Sequence, residues 1–219
     1  MTKTEILIFI TKCPILISAV LQKGIIPFKL KQKPYRMKYL LGFLALTIFQ
    51  CGAQIPNVEQ QIADAVLALD AADREEATVF GYNSDGDLIT IKKGTNAQVC
   101  LADDPGKEGF SVACYHKDLE PFMARGRELR AEGKDRGEVE QIREEEAKNG
   151  KLKMPEGSST LAVLSGPSKE EANIRYVVYI PWATAESTGL PTKPMVAGGP
   201  WIMFPGSYRA HIMISPPNN

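Results

Sequence analysis

Hydrophobic and polar positions along this chain repeat with two different periods. After Asn57, a residue suited to capping, Val58, Ile62, Val66 and Leu69 recur three or four apart with polar and acidic residues between them, which predicts an amphipathic helix ending near Asp73. From Thr78 to Lys92 two runs rich in β-formers flank Asn83-Ser84-Asp85-Gly86. Asp-Gly between such runs marks a tight hairpin, because glycine accepts the positive φ of the turn. Asn83, Asp85 and Asp87 also invite a calcium-loop reading, but such a loop needs its glycine sixth and a distant Glu, and here Gly86 is fourth. The turn is the better reading.

A second hairpin follows and can be placed by arithmetic. Cys100 and Cys114 are symmetric about Lys107, the middle of the turn Pro105-Gly106-Lys107-Glu108-Gly109. Regular pairing sets Gln98 against His116, Cys100 against Cys114 and Ala102 against Val112, all on one face of the ribbon. Val99, Leu101, Ala113 and Tyr115 fall on the other.

The period then becomes helical. Asp118 is placed to cap a helix, Pro121 sits in its first turn, Leu119, Phe122, Met123 and Leu129 form its apolar stripe, and Gly133 ends it. A second helix, Arg136 to Asn149, offers only Val139 and Ile142 as apolar anchors and is expected to be a solvated excursion. Thr160–Leu164 and Ile174–Trp182 read as strands, with Ile174, Tyr176, Val178 and Ile180 sharing a face. Prolines then separate two short apolar runs, 201–204 and 211–214, the last of which brings His211 into the sheet. Together these elements predict an α+β fold: a mainly antiparallel sheet of hairpins with an N-terminal helix, a central helical block and one disulfide.

The first 53 residues do not fit that domain. From Met37 the chain has a basic start, an apolar run from Tyr39 to Phe49, and small residues at Cys51 and Ala53, the parts of a signal peptide cut before Gln54. The apolar run is shorter than the roughly 20 residues a bilayer-spanning helix needs. Lipid attachment at Cys51 is the alternative, disfavoured by the bulky Gln50 before it. Residues 1–36 are most simply a start assigned upstream of Met37, with an anchor or a long basic leader as the other readings. The expected domain is therefore 54–219, exported to the periplasm or secreted. No membrane span is expected in it.

Charge changes the picture once the leader is set apart. The whole chain is neutral, with 26 basic and 26 acidic residues. The first 53 hold eight basic residues against one acidic, leaving 18 basic against 25 acidic, a balance of −7, for 54–219. An acidic domain of this kind is a poor candidate for nucleic acid, whose binding depends on neutralising phosphates. In an oxidising compartment Cys100 and Cys114, the two cysteines that remain after leader removal, are expected to form a disulfide. Closing a loop of about 15 residues is worth roughly 3 kcal/mol.

Candidate chemistry is sparse. There is no Gly-x-Ser-x-Gly, phosphate-cradling loop, His-Glu-x-x-His or dinucleotide fingerprint. His116 and His211 are the only histidines. With Glu120 or Glu128 they could form an acid–base or metal centre if the last strand lies near the second hairpin. The simpler reading has His116 hydrogen-bonded locally and His211 as an ordinary strand residue. Arg125, Arg127 and Arg130 could bind an anion, although Glu128 and Glu132 are interleaved with them. Tyr176, Tyr179, Trp182, Trp201, Phe204 and Tyr208 could form a ligand or glycan platform, or fill the core under the loops. No cofactor, partner or oligomeric state is implied. The expectation is an exported domain with a non-catalytic binding or structural role, the alternative being a small hydrolase built on His116 and His211.

Overall fold

Asn57 opens the first helix by accepting a hydrogen bond from the Gln60 N–H at 2.8 Å. The computed structural model describes residues 55–217. Helix α1 (Val58–Ala65) runs into a 3-10 turn (Val66–Ala68), and a second short helix α2 (Ala71–Arg74) follows. The single helix expected as far as Asp73 is thus broken at Leu69, which is extended. The Arg74 guanidinium donates to the Leu69 and Leu67 carbonyls and supplies partners that helix continuation would have provided.

The remaining elements are β1 (Thr78–Tyr82), β2 (Leu88–Lys92), β3 (Gln98–Leu101), β4 (Phe110–His116), α3 (Glu120–Ala131), α4 (Arg136–Lys148), β5 (Ser159–Gly166), β6 (Asn173–Tyr179), α5 (Ala185–Thr188), β7 (Trp201–Met203) and β8 (His211–Ile214). The strands form one eight-stranded sheet in the order β2-β1-β3-β4-β5-β6-β8-β7. All pairs are antiparallel except β1 and β3. This α+β architecture is the one the sequence predicts.

The parallel pair arises because the chain leaves β2 and passes the start of β1 to form β3. Thr95 and Asn96 both donate to the Glu76 carbonyl there. Gly94 makes the crossing possible: a Cβ on it would lie 2.1 Å from the Glu76 oxygen and 2.4 Å from the Thr78 nitrogen.

Gln98 pairs with His116 and Cys100 with Cys114, as the symmetry about Lys107 requires. The ladder stops at Leu101↔Ala113, one step before Ala102 and Val112. Ala102 instead donates its N–H to Phe80 of β1. Cys100 and Cys114 are joined in a disulfide.

Each face of the sheet has its own core. On one face Ala65 of α1 and Val66 and Ala68 of the 3-10 turn pack with Val79, Cys100 and Cys114, with Ala162, Leu164 and Ile174 at the margin. Under α3 and α4 lie Val99, Tyr115, Leu119, Phe122, Leu161, Val177 and Tyr208, flanked by Tyr179 and Met213. No described helix is long and apolar enough to cross a membrane.

Two helix expectations need correction. Asp118 does not cap the central helix: the N-cap of α3 is Leu119, with no side-chain hydrogen bond, and it is the preceding 3-10 turn (Lys117–Leu119) that is capped, by His116, whose Nδ1 accepts from the Asp118 N–H at 3.3 Å. Nor is α4 a solvated excursion. Asp135 and Glu138 form a reciprocal capping box at its start, and Val139, Arg143 and Glu146 are buried against α3.

Candidate ligand-binding cleft

The sheet register decides where the two histidines lie. His116 alternates with Tyr115 and so shares the α1 face with Cys114. His211 alternates with Ile212 and shares the opposite face with Met213, against Tyr179 and Phe204 at ring distances of 5.1 and 5.8 Å. Strands β5 and β6 separate β4 from β8, three spacings of about 4.8 Å each. His116 and His211 are therefore on opposite faces and do not converge.

His211 is buried, its Nδ1 lies 2.8 Å from the Arg209 carbonyl, and burial pushes its pKa below the usual value. Glu120 also lies apart from His116. It accepts the Tyr115 hydroxyl and pairs with Arg127 at 2.5 Å on the α3 side. Burial and the Glu120 hydrogen bond push the Tyr115 pKa up. Among the described residues no group of three or more His, Cys, Asp and Glu is arranged to hold a metal ion. Asn83 spends its side-chain oxygen on the Asp85 and Asp87 N–H groups, as an Asx turn does.

The three arginines have three different fates. Arg125 is committed: its Nε and Nη2 meet the two oxygens of buried Glu146 at 2.8 and 2.9 Å, and its Nη1 reaches Glu128. Those carboxylates hold the Arg125 pKa above its usual range. Arg127 is half committed, bound to Glu120 and the Tyr115 hydroxyl and lying 5.2 Å over the Phe80 ring.

Arg130 has no carboxylate partner among the described residues. Partial burial and then the neighbouring Arg143 and Arg127 guanidinium groups push its pKa down. Gly126 leaves room for this crowding. A Cβ there would lie 2.9 Å from Nη1 of Arg143 and 3.5 Å from Nη2 of Arg130. Arg143 is occupied otherwise, stacked 4.1 Å over Phe122 and paired with Glu140.

Arg127 and Arg130 line one wall of a cleft of about 590 Å³ at the end of the sheet. The opposite wall is the turn between β3 and β4, with Asp103 and Asp104. Tyr82 and the turn after it close one side, and Leu101 and Ala113 form the floor. Asp104 is neutralised locally. Burial opposes its charge, but the Lys107 ammonium at 2.7 Å and the Gly106 N–H hold its pKa below the usual range.

Asp103 accepts from the Ser111 N–H at 2.8 Å and has no cationic partner among the described residues. Burial raises its pKa. Tyr82 is pushed up to about 12 by burial and then by the Asp104 and Asp103 carboxylates, with Arg127 opposing.

We find no match between the chain and any known protein family, curated protein or solved structure. The cleft is thus read from its chemistry alone.

A second concavity, of about 540 Å³, lies on the other face between Leu67–Arg74 and β5–β6. It is lined by Ala162, Leu164, Ile174 and the exposed Tyr176. The remaining aromatics of the candidate platform divide. Tyr208 is buried, Tyr179 and Trp201 are intermediate, and Trp182 and Phe204 are exposed, both at positive φ. Arg209 lies 3.8 Å over the Phe204 ring.

Sequence reasoning found Arg127 and Arg130 but missed Tyr82, Asp103 and Asp104. Next to Pro105-Gly106 the two aspartates read as turn residues, and only the fold brings that turn opposite α3.

Proposed function

We propose that this is a non-catalytic binding domain that takes a small anionic ligand, a carboxylate or an oxyanion, in the cleft between α3 and the β3–β4 turn. The observation that carries the proposal is Arg130: a guanidinium crowded by two others, without a carboxylate partner among the described residues, lining a cleft large enough for a small molecule. Guanidinium groups favour planar oxyanions because two N–H donors match two acceptor oxygens. Arg130, the one of the three guanidinium groups without a carboxylate partner among the described residues, is repelled less by its neighbours when an anion arrives, which adds to the driving force. Neither histidine lines this cleft, so the groups best suited to proton transfer near neutrality lie outside it.

Calorimetric titration with acetate, glutarate and sulfate at low ionic strength tests this. Arg130→Ala should weaken binding of the preferred anion by tenfold or more, and Arg125→Ala should leave that affinity unchanged while lowering stability. Equal affinity in wild type and Arg130→Ala would overturn it.

We also read the domain as exported, either periplasmic or secreted, with lipid attachment at Cys51 as the alternative. The Cys100–Cys114 disulfide supports this reading, because such bonds persist in oxidising compartments.

A further inference from the structure

The cleft holds two charges of opposite sign that do not satisfy each other. Arg130 on α3 has no carboxylate partner, and Asp103 on the β3–β4 turn has no cationic partner, among the described residues. Both line the same concavity, yet no ion pair within 4.0 Å joins them. Of the other charged groups lining the cleft, Arg127 is engaged by Glu120 and Asp104 by Lys107, while Asp87 and Glu108 add two more carboxylates without an ion-pair partner among the described residues, so that the cleft offers a cation more than one acceptor and an anion chiefly Arg130.

A ligand with only negative charge would meet Arg130 favourably and face Asp103 across the cleft as a like charge. A purely cationic ligand would meet the reverse. One species satisfies both walls, a molecule carrying an anion at one end and a cation at the other. We propose that the cleft binds a zwitterion, a small amino acid whose carboxylate takes Arg130 and whose ammonium takes Asp103.

The phenol of Tyr82 belongs to the same arrangement, since the charges of Asp103, Asp104 and Arg127 all act on it. Its hydroxyl is hydrogen-bonded with Asp104, and the apolar floor of Leu101 and Ala113 suits a methylene spacer. Because the two charged groups are not in contact, an amino acid with separated termini fits better than one with both charges on a single carbon.

The inference rests on the anion-binding reading, and the test separates the two. Wild-type protein is titrated with 4-aminobutyrate and 6-aminohexanoate and with their deaminated counterparts, butyrate and hexanoate, in low-salt buffer at pH 7. At least one amino acid should bind tenfold or more tightly than its deaminated partner. Asp103→Asn, which keeps an acceptor for the Ser111 N–H, should remove that preference and leave the simple acids bound as well or better. Arg130→Ala should weaken both kinds of ligand. Equal binding of amino acid and simple acid would overturn the zwitterion inference and leave the anion site standing. An unchanged preference in Asp103→Asn would also overturn the inference. Failure of every compound to bind would overturn both readings.

Discussion

Burial makes a charge on Asp103 costly. Its pKa is raised, with burial as the largest cause, so the folded state holds its proton more tightly than the unfolded chain does. Such a group costs nothing below the unfolded value of about 3.9. Stability is then lost as pH rises through the window up to the raised folded value, because there the unfolded state binds fewer protons. Asp103→Asn should therefore raise the denaturant midpoint at pH 7, with the gain shrinking as pH falls towards 4. A lower midpoint at pH 7 would mean that the aspartate's bond to Ser111 outweighs its desolvation. The same substitution is expected to remove ligand preference, so stability and binding would move in opposite directions at one atom pair.

At the scale of elements, the second hairpin was legible because two independent regularities agreed. The cysteine spacing centred on Lys107, and the alternation sorted Cys100 and Cys114 from Val99 and Tyr115, as the two cores confirm. The disulfide lies under α1, in the same core as Ala65 and Val66. Replacing both cysteines with alanine should lower stability by about 3 kcal/mol in urea denaturation. Amide exchange should speed up most in α1. A loss spread evenly over both faces would contradict this placement.

Helix α4 was misjudged for a definite reason. Hydrophobic patterning counts charged residues as solvated, and two of the three residues that α4 buries are Arg143 and Glu146. Their burial is possible because Phe122 receives the guanidinium of one, and Arg125 and Lys151 receive the carboxylate of the other. Those partners lie 21 residues away for Phe122 and Arg125, beyond the reach of any local periodicity. The crossing from β2 to β3 escaped notice in the same way. Nothing in the residues around Gly94 sets it apart from any glycine between two strands, and only the backbone of Glu76 and Thr78 against it gives it a role. The acidic wall of the cleft was hidden because an aspartate next to Pro-Gly carries the same signature whether it faces solvent or a ligand.

For the whole molecule, the sequence divided the chain at Ala53, and residues 1–54 lie outside those described. The leader reading is therefore tested on the protein product. Intact-mass measurement after expression in a secreting host should find the chain starting at Gln54. A product retaining residues 1–36 would refute the leader, and a lipid-modified Cys51 would move the cut to before that residue.

The hydroxyl of Tyr208, a fully enclosed side chain, donates to the Glu140 carboxylate at 2.7 Å, and the neighbouring Arg209 pairs with the same carboxylate at 2.8 Å. The tyrosine contact joins residues 68 positions apart. During synthesis the chain must therefore emerge almost to its end before α4 can acquire its final neighbours. Until then Arg143 and Glu140 have each other but lack the tyrosine ring and hydroxyl that close over them. The layer formed by α3 and α4 is thus completed late, only after the segment that carries Tyr208 and Arg209 has emerged.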